Sequence, residues 1–306
     1  MKRLCLTIWC LLCLLPSAVC AEGLLDKNVH YFWPAIDGSG LLLTYGSETL
    51  GLWRMHYGFY ADDAVAPVNI LTGDRLDTVV ENQVSGNLLY AIGLFDVANI
   101  GFAFPFVFHR LINDDYDDLD LSPSVFEDIR IEAKYSFINR QRKCIGAALL
   151  ARFTTPIAYE KNSFASDHGP TLEPVAIFDL GREWWTYAAN LGYKHYFNPQ
   201  DSDVYDLPVG DELTLNTGAL FRVSPSQQVL LDSATRTKIN SPFGQPDLDR
   251  AELMVAYRKF WQRLNFTALT AGVGVGLLSG VGDPKFRIFI GVTRDEKRLG
   301  PGDVQF

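Results

Sequence analysis

From about Leu52 to Thr293 the chain repeats one pattern: apolar and polar residues alternate, and then comes a turn. Phe126–Ile138 shows it most plainly. Ile129, Ile131, Ala133, Tyr135 and Phe137 fall on one face, and Asp128, Arg130, Glu132, Lys134 and Ser136 on the other. Strand side chains have a period of two, so this segment predicts a strand with one apolar and one charged face. Asn99–His109 places Ile100, Phe102, Phe104, Phe106 and Phe108 on a single face, opposed by Gly101, Ala103 and Pro105. That face suits lipid.

The remaining predicted strands are Leu52–Ala61, Leu76–Phe95, Cys144–Thr154, Leu172–Asp179, Trp184–Phe197, Glu212–Val223, Val229–Thr235, Arg250–Phe260, Asn265–Leu277 and Phe286–Thr293. Tight links (Asp96–Ala98, Asn139–Lys143, Leu180–Glu183, Ser224–Gln228, Trp261–Leu264) alternate with longer ones (Asp62–Arg75, Arg110–Val125, Thr155–Thr171, Asn198–Asp211, Arg236–Asp249). Only the last link on the long side, near Ser279–Lys285, is short. Outer-membrane barrels have short periplasmic turns and longer outer loops, and an even strand number puts both barrel ends in the periplasm. The pattern predicts an all-β fold, an antiparallel up-and-down transmembrane β-barrel of about twelve strands. A soluble sandwich or jelly roll also alternates, but it needs neither the alternation of loop lengths nor an aromatic face on every strand. Trp184, Trp185, Tyr187 and Trp261, near tight turns, predict an interfacial aromatic girdle. On this reading Phe104→Arg blocks insertion, and Ala103→Arg is milder.

The N-terminus adds a compartment. Lys2 and Arg3, the apolar run to about Leu15, and Val19 and Ala21 predict a signal peptide over residues 1–21, cleaved after Ala21. Lipidation at Cys20 is the rival; Ser17-Ala18-Val19 lacks its usual preceding Leu and adjacent small residue. Residues 22–51 read as a periplasmic lead-in with a short strand at Leu41–Tyr45, residues 52–293 as the barrel, and residues 294–306 as a tail. Mean hydropathy is only +0.04, which alternation explains, and no uncharged run of spanning length follows the leader. Of five cysteines, Cys5, Cys10, Cys13 and Cys20 leave with the signal. Cys144 remains, so neither an intramolecular disulfide nor a Cys-based metal site is expected. The net charge is −9, and about −11 after Lys2 and Arg3 are subtracted, so no nucleic-acid partner is expected.

If the apolar face meets lipid, the lumen-facing candidates are Arg54, Glu81, Asp128, Arg130, Glu132, Lys134, Arg152, Lys194, Glu212, Arg222, Asp232, Glu252, Arg258 and Arg287. Buried charges must be paired or hydrated. Two readings stay open: a network of ion pairs filling the lumen, or the lining of a water-filled or gated path. The acidic run Asp114–Asp120 lacks the central Gly and terminal Glu of a calcium loop and reads as a solvated outer loop. Gly272-Val273-Gly274-Val275-Gly276 lacks nucleotide-loop spacing and reads as strand glycines facing inward. His30, His56, His109, His168 and His195 supply no recognisable nucleophile–base set. No catalytic residue, metal or cofactor is expected.

Several segments carry a family resemblance. Ile36–Leu41, Ala91–Asp96, Glu127-Asp128-Ile129-Arg130, Gly272–Gly276 and Asp283–Arg287 resemble the barrel that precedes a peptidoglycan-binding domain in OmpA-type proteins. More distantly, they are similar to the transporter-like outer-membrane family of phenol meta-pathway operons. Thr155-Pro156-Ile157 departs from the Pro-Thr-Gly such barrels often show after the sixth strand, and no peptidoglycan-binding domain follows Phe306, so cell-wall anchoring is not carried over. The resemblance implies a passive channel or transporter-like role in the Gram-negative outer membrane. Its partners would be outer-membrane lipids, lipopolysaccharide and an unidentified small solute, hydrophobic or aromatic. A closed structural or surface-interaction barrel is the second reading, and an outer-membrane hydrolase the third.

Overall fold

A computed structural model describes residues 28–72, 75–114, 121–140, 144–156, 164–167, 169–197, 210–244, 249–261, 267–278 and 281–295. The signal peptide, most of the acidic run, His168 and most of the tail lie outside the described residues. Among the described residues there are thirteen strands: β1 Met55–Thr72, β2 Arg75–Leu94, β3 Ala98–Ile112, β4 Val125–Phe126, β5 Ile129–Ile138, β6 Ile145–Thr155, β7 Thr171–Arg182, β8 Trp185–Tyr196, β9 Glu212–Ser224, β10 Gln227–Lys238, β11 Arg250–Trp261, β12 Thr267–Gly276 and β13 Phe286–Asp295. Each pairs antiparallel with its neighbour, and β1 pairs with β13 from His56↔Asp295 to Val65↔Phe286. The sheet therefore closes on itself. Twelve strands form the barrel, and the two-residue β4 is an added strip on β3.

Burial along the strands is inverted relative to a soluble protein. In β5, Arg130, Glu132 and Lys134 are buried, whereas Tyr135 and Phe137 are exposed. Phe137 is 64% exposed and Arg130 0%. A sandwich would bury the opposite face, so this inversion rules it out. Phe59, Leu88, Phe104, Leu149, Leu191, Ile288 and Ile290 continue the exposed apolar face around the barrel. A closed barrel with an apolar exterior leaves no lipid-facing polar edge; the protein is a multi-pass barrel of the Gram-negative outer membrane. Trp53, Phe95, Trp184 and Tyr187 are exposed near the short-turn end, where an interfacial girdle belongs.

Two local departures have physical causes. Asp62–Arg75, read from sequence as a loop, is largely strand, and β1 runs on to Thr72. Pro67 breaks the pattern, but register shifts around Val65–Val68 and Val68–Asn69 form a bulge that leaves it unpaired. Inward-facing Gly272 and Gly274 make room for neighbours. A Cβ on Gly272 would lie 2.4 Å from Phe289 Cζ, and one on Gly274 would lie 2.6 Å from Glu252 Oε1.

The larger departure is the segment before β1. Residues 28–50 are not a periplasmic lead-in, and Leu41–Tyr45 is not a strand. The segment lies inside the barrel. Near the long-loop end, Val29 N donates to Phe164 O at 3.1 Å and Asn28 Nδ2 to Ala165 O at 3.1 Å. Near the short-turn end, Thr49 Oγ1 donates to Asp96 O at 2.8 Å and Leu50 N to Asn99 Oδ1 at 3.0 Å. The plug thus runs the length of the lumen and then reverses into β1. The reversal crosses β2 at Gly93, where a Cβ would sit 1.7 Å from Gly51 O.

Apolar burial explains why the plug stays. Phe32, Ile36, Leu41, Leu42 and Leu43 form one core with Tyr60, Leu89, Leu220, Leu230, Met254 and Phe289 of the inner wall. The packing changes what is expected of Ala103→Arg: Ala103 is fully buried in that core, so an arginine there should overpack it and not be mild. Phe104→Arg still puts a charge into lipid, at about 2–4 kcal/mol near the midplane. Both variants should lose the folded, heat-modifiable band on semi-native gels; normal assembly of Phe104→Arg would reverse the face assignment.

Candidate functional site

An irregular backbone inside a membrane needs a partner for every N–H and C=O, because hydrocarbon offers none. The charged inner wall supplies many of them. Asp232 Oδ2 accepts from three successive plug amides, Leu42 N, Leu43 N and Thr44 N, at 2.9, 3.3 and 3.4 Å. Its Oδ1 accepts from Thr44 Oγ1 at 2.7 Å. Asn190 takes both sides of Tyr45, accepting from its N at 2.6 Å and donating to its O at 2.9 Å. Asp179 accepts from Ser47 N at 3.1 Å, and Asn87 donates to Phe32 O at 3.2 Å. Lys134 Nζ donates to Ser39 Oγ at 2.7 Å, Gly46 O at 3.0 Å and Glu48 O, and pairs with Asp37. Arg258 Nη2 donates to Leu41 O.

The other wall charges form chains. Arg152 bridges Glu132 at 2.7 Å and Glu173 at 2.6 Å, and Tyr45 OH donates to Glu132. Arg130 lies 3.8 Å from Glu132 and 4.9 Å from the Trp33 ring centre. Lys194 pairs with Asp167, whose N donates to Asp128 at 2.9 Å. Arg287 pairs with Asp62 and, at 2.8 and 3.3 Å, with both oxygens of Glu252. His30 of the plug sits between Asp62 at 3.1 Å and Glu127 at 2.9 Å. His195 contacts Asp211 at 3.1 Å. Among the described residues, no hydroxyl or thiol bonds either imidazole in the manner of a nucleophile.

Eleven of the fourteen sequence candidates are buried: Asp128, Arg130, Glu132, Lys134, Arg152, Lys194, Glu212, Asp232, Glu252, Arg258 and Arg287. Three differ. Arg54 is half-buried just before β1. Arg222 is exposed at the short-turn end and donates to Glu183 O at 2.7 Å. Glu81 is exposed, a correction with a clear cause: the register shift between Val80 and Asn82 turns it out of the inner row. Sequence reading missed Asp62, Arg236 and Arg250, because Asp62 and Arg236 fell in segments read as loops and Arg250 at a strand's first residue. It missed Glu173, which shares the inner face of β7 with Asp179 and which alternation would have found. It also missed the whole plug, including His30 and Asp37.

Two cavities in the lumen are lined by described residues. A polar cavity of about 250 Å³ opens at the short-turn end beside Gly38, Ser39, Glu48, Arg140, Arg222 and Arg258. A smaller one, about 30 Å³, lies farther out between Tyr31, Trp33, Arg236 and Arg250.

Comparison with known proteins agrees on the fold. No family model matches the chain, and no curated protein does. Among solved structures, the COG4313 outer membrane channel from Pseudomonas putida F1 superposes with a TM-score of 0.62 at 14% identity, over 81% of this chain and 97% of that one. The NanC porin superposes with a TM-score of 0.54 at 8% identity, over 78% of this chain and 98% of that one. At such identities the likeness is one of fold. The OmpA-type part of the resemblance gains no support from these likenesses.

Proposed function

We propose that the protein is a passive outer-membrane channel for small solutes in which residues 28–50 are the gate. The observation that carries this reading is the form of closure. The lumen is filled by a separate, irregular segment, held by discrete hydrogen bonds, and not by wall side chains alone. Each wall group released by plug movement can exchange its plug partner for water, so displacement costs far less than breaking the barrel ladder. The 250 Å³ cavity beside Gly38–Leu42 gives that bend somewhere to move. The channel fold of the two comparison structures is in keeping with this role. A permanently closed structural barrel is the competing reading, favoured by the dense packing of Phe32, Ile36 and Leu41–Leu43.

A reversible lock separates the two. A Cβ built on Gly101 lies 3.3 Å from Ile36 Cβ, close to the spacing a disulfide spans. In a Cys144→Ser background, Ile36→Cys with Gly101→Cys should fasten the plug to β3 when oxidised. Solute-driven swelling of proteoliposomes is expected to stop on oxidation and return on reduction. Equal swelling in both states would remove the plug from the gating role. No swelling in either state, with the barrel folded, would establish the closed barrel.

A further inference from the structure

Arg236 of β10 and Arg250 of β11 are direct cross-strand partners on the inner face. Like charges at that position repel, and burial strengthens the repulsion. Arg250 is only 3% exposed, and the Arg236 side chain 11%. Such a pair persists only if something offsets it.

Nearby carboxylates offset the repulsion only in part, Glu212 through a long ion pair with Arg236 and Asp283 through space on Arg250. Glu252 is held by Arg287, and Glu173 by Arg152 and Thr214. Glu212 Oε2 is 4.0 Å from Arg236 Nη1, beyond hydrogen-bond reach. Asp283 Oδ2 accepts from Ala251 N at 3.0 Å. Burial pushes the Asp283 carboxyl up to about 7, so near neutral pH it is only part-ionised. Among the described residues, Arg250 Nε, Nη1 and Nη2 and Arg236 Nη1 are buried without a hydrogen-bond partner. Buried donors of this kind are costly to leave unmade.

The two faces of the problem are divided between ring and edge. The Arg250 guanidinium lies 3.6 Å from the Tyr31 ring centre, and that of Arg236 lies 4.7 Å from Tyr31 and 4.5 Å from Trp33. The plug aromatics thus cover guanidinium faces. The in-plane N–H edges, which bind carboxylates in forked geometry, lie beside the 30 Å³ cavity, which Arg152, Glu252 and Asp283 also line. That space takes a group of a few heavy atoms.

We propose that Arg236 and Arg250, roofed by Tyr31 and Trp33, form a binding site for a compact monoanion, a carboxylate group above all, near the outer end of the lumen. Tyr31 and Trp33 belong to the plug, so the site is complete only while the plug is seated. A bound anion would offset the repulsion between the two arginines and tie β10 and β11 to the plug.

The test uses the full chain, purified in chloride-free detergent buffer, with sodium formate as the probe. The melting temperature should rise saturably by a few degrees in the wild type and stay flat in Arg250→Gln. Equal rises in both proteins, or none in the wild type, would overturn the proposal. If Arg250→Gln fails to fold, wild-type crystals soaked in bromide decide the matter. An anomalous peak within hydrogen-bond reach of both guanidinium edges supports the site, and a water molecule there in its place overturns it.

Discussion

Deleting residues 28–47 is expected to convert a nearly silent barrel into a steadily conducting one. In planar bilayers the intact chain should show a closed baseline. The deletion variant should show long, ohmic steps at least an order of magnitude larger. The barrel should survive the deletion, because its ladder owes nothing to the plug. β1 pairs with β13 over ten residue pairs, and every other barrel strand keeps both neighbours. Asp232, Asn190, Asp179, Lys134 and Arg258 lose plug partners, but water enters with the loss, so none becomes a dry, orphaned charge. The released groups carry both signs, so selectivity should be weak and salt-screened. If the intact chain conducts as freely as the variant, the plug does not close the path. If the variant folds and stays silent, some other part of the lumen closes it.

The contrast between plug and wall shows what sequence can carry. The wall repeats every two residues, and one segment such as Phe126–Ile138 fixes both faces of the sheet. Alternation alone leaves open whether the charged face lines a pore or closes one, since Asp232 would look the same bonded to water or to three plug amides. The plug has no period. Tyr31-Phe32-Trp33 and Leu41-Leu42-Leu43 are apolar clusters separated by Pro34, Gly38 and Gly40, and such a string reads as linker until something encloses it. Its burial was still hinted at, because seven large apolar residues within 31–43 would be unusual in a hydrated periplasmic segment. Errors within the wall, at Pro67 and Glu81, sit at bulges, where the two-residue period slips. Arg236 was missed inside a segment read as a loop and Arg250 just after it, although their register makes them neighbours.

The closing seam is where a single side chain should matter most. Arg287 of β13 reaches across the seam to Asp62 of β1 and holds Glu252 of β11, while His30 fastens the plug to the same Asp62. One guanidinium therefore links the first and last strands and, through Asp62, the plug. Arg287→Met fills similar volume but leaves Glu252 buried without its partner and Asp62 with His30 alone. Breaking a buried pair in this way costs about 3–5 kcal/mol. In urea titrations of folded barrel the midpoint should fall accordingly, and the plug should loosen with it, appearing as brief openings in bilayers. Adding Glu252→Gln to Arg287→Met should recover most of the loss, because the uncompensated charge is the main cost and the pair as a whole adds little. A loss for Arg287→Met within the roughly 0.5 kcal/mol of an ordinary surface change would mean that the seam is held by its ladder alone. A full loss unrelieved by Glu252→Gln would place the cost in packing around Phe32, whose ring centre lies 5.4 Å from the Arg287 guanidinium. Recovery in the double variant would tie plug and seam through charge, and the openings should then shorten as the midpoint rises.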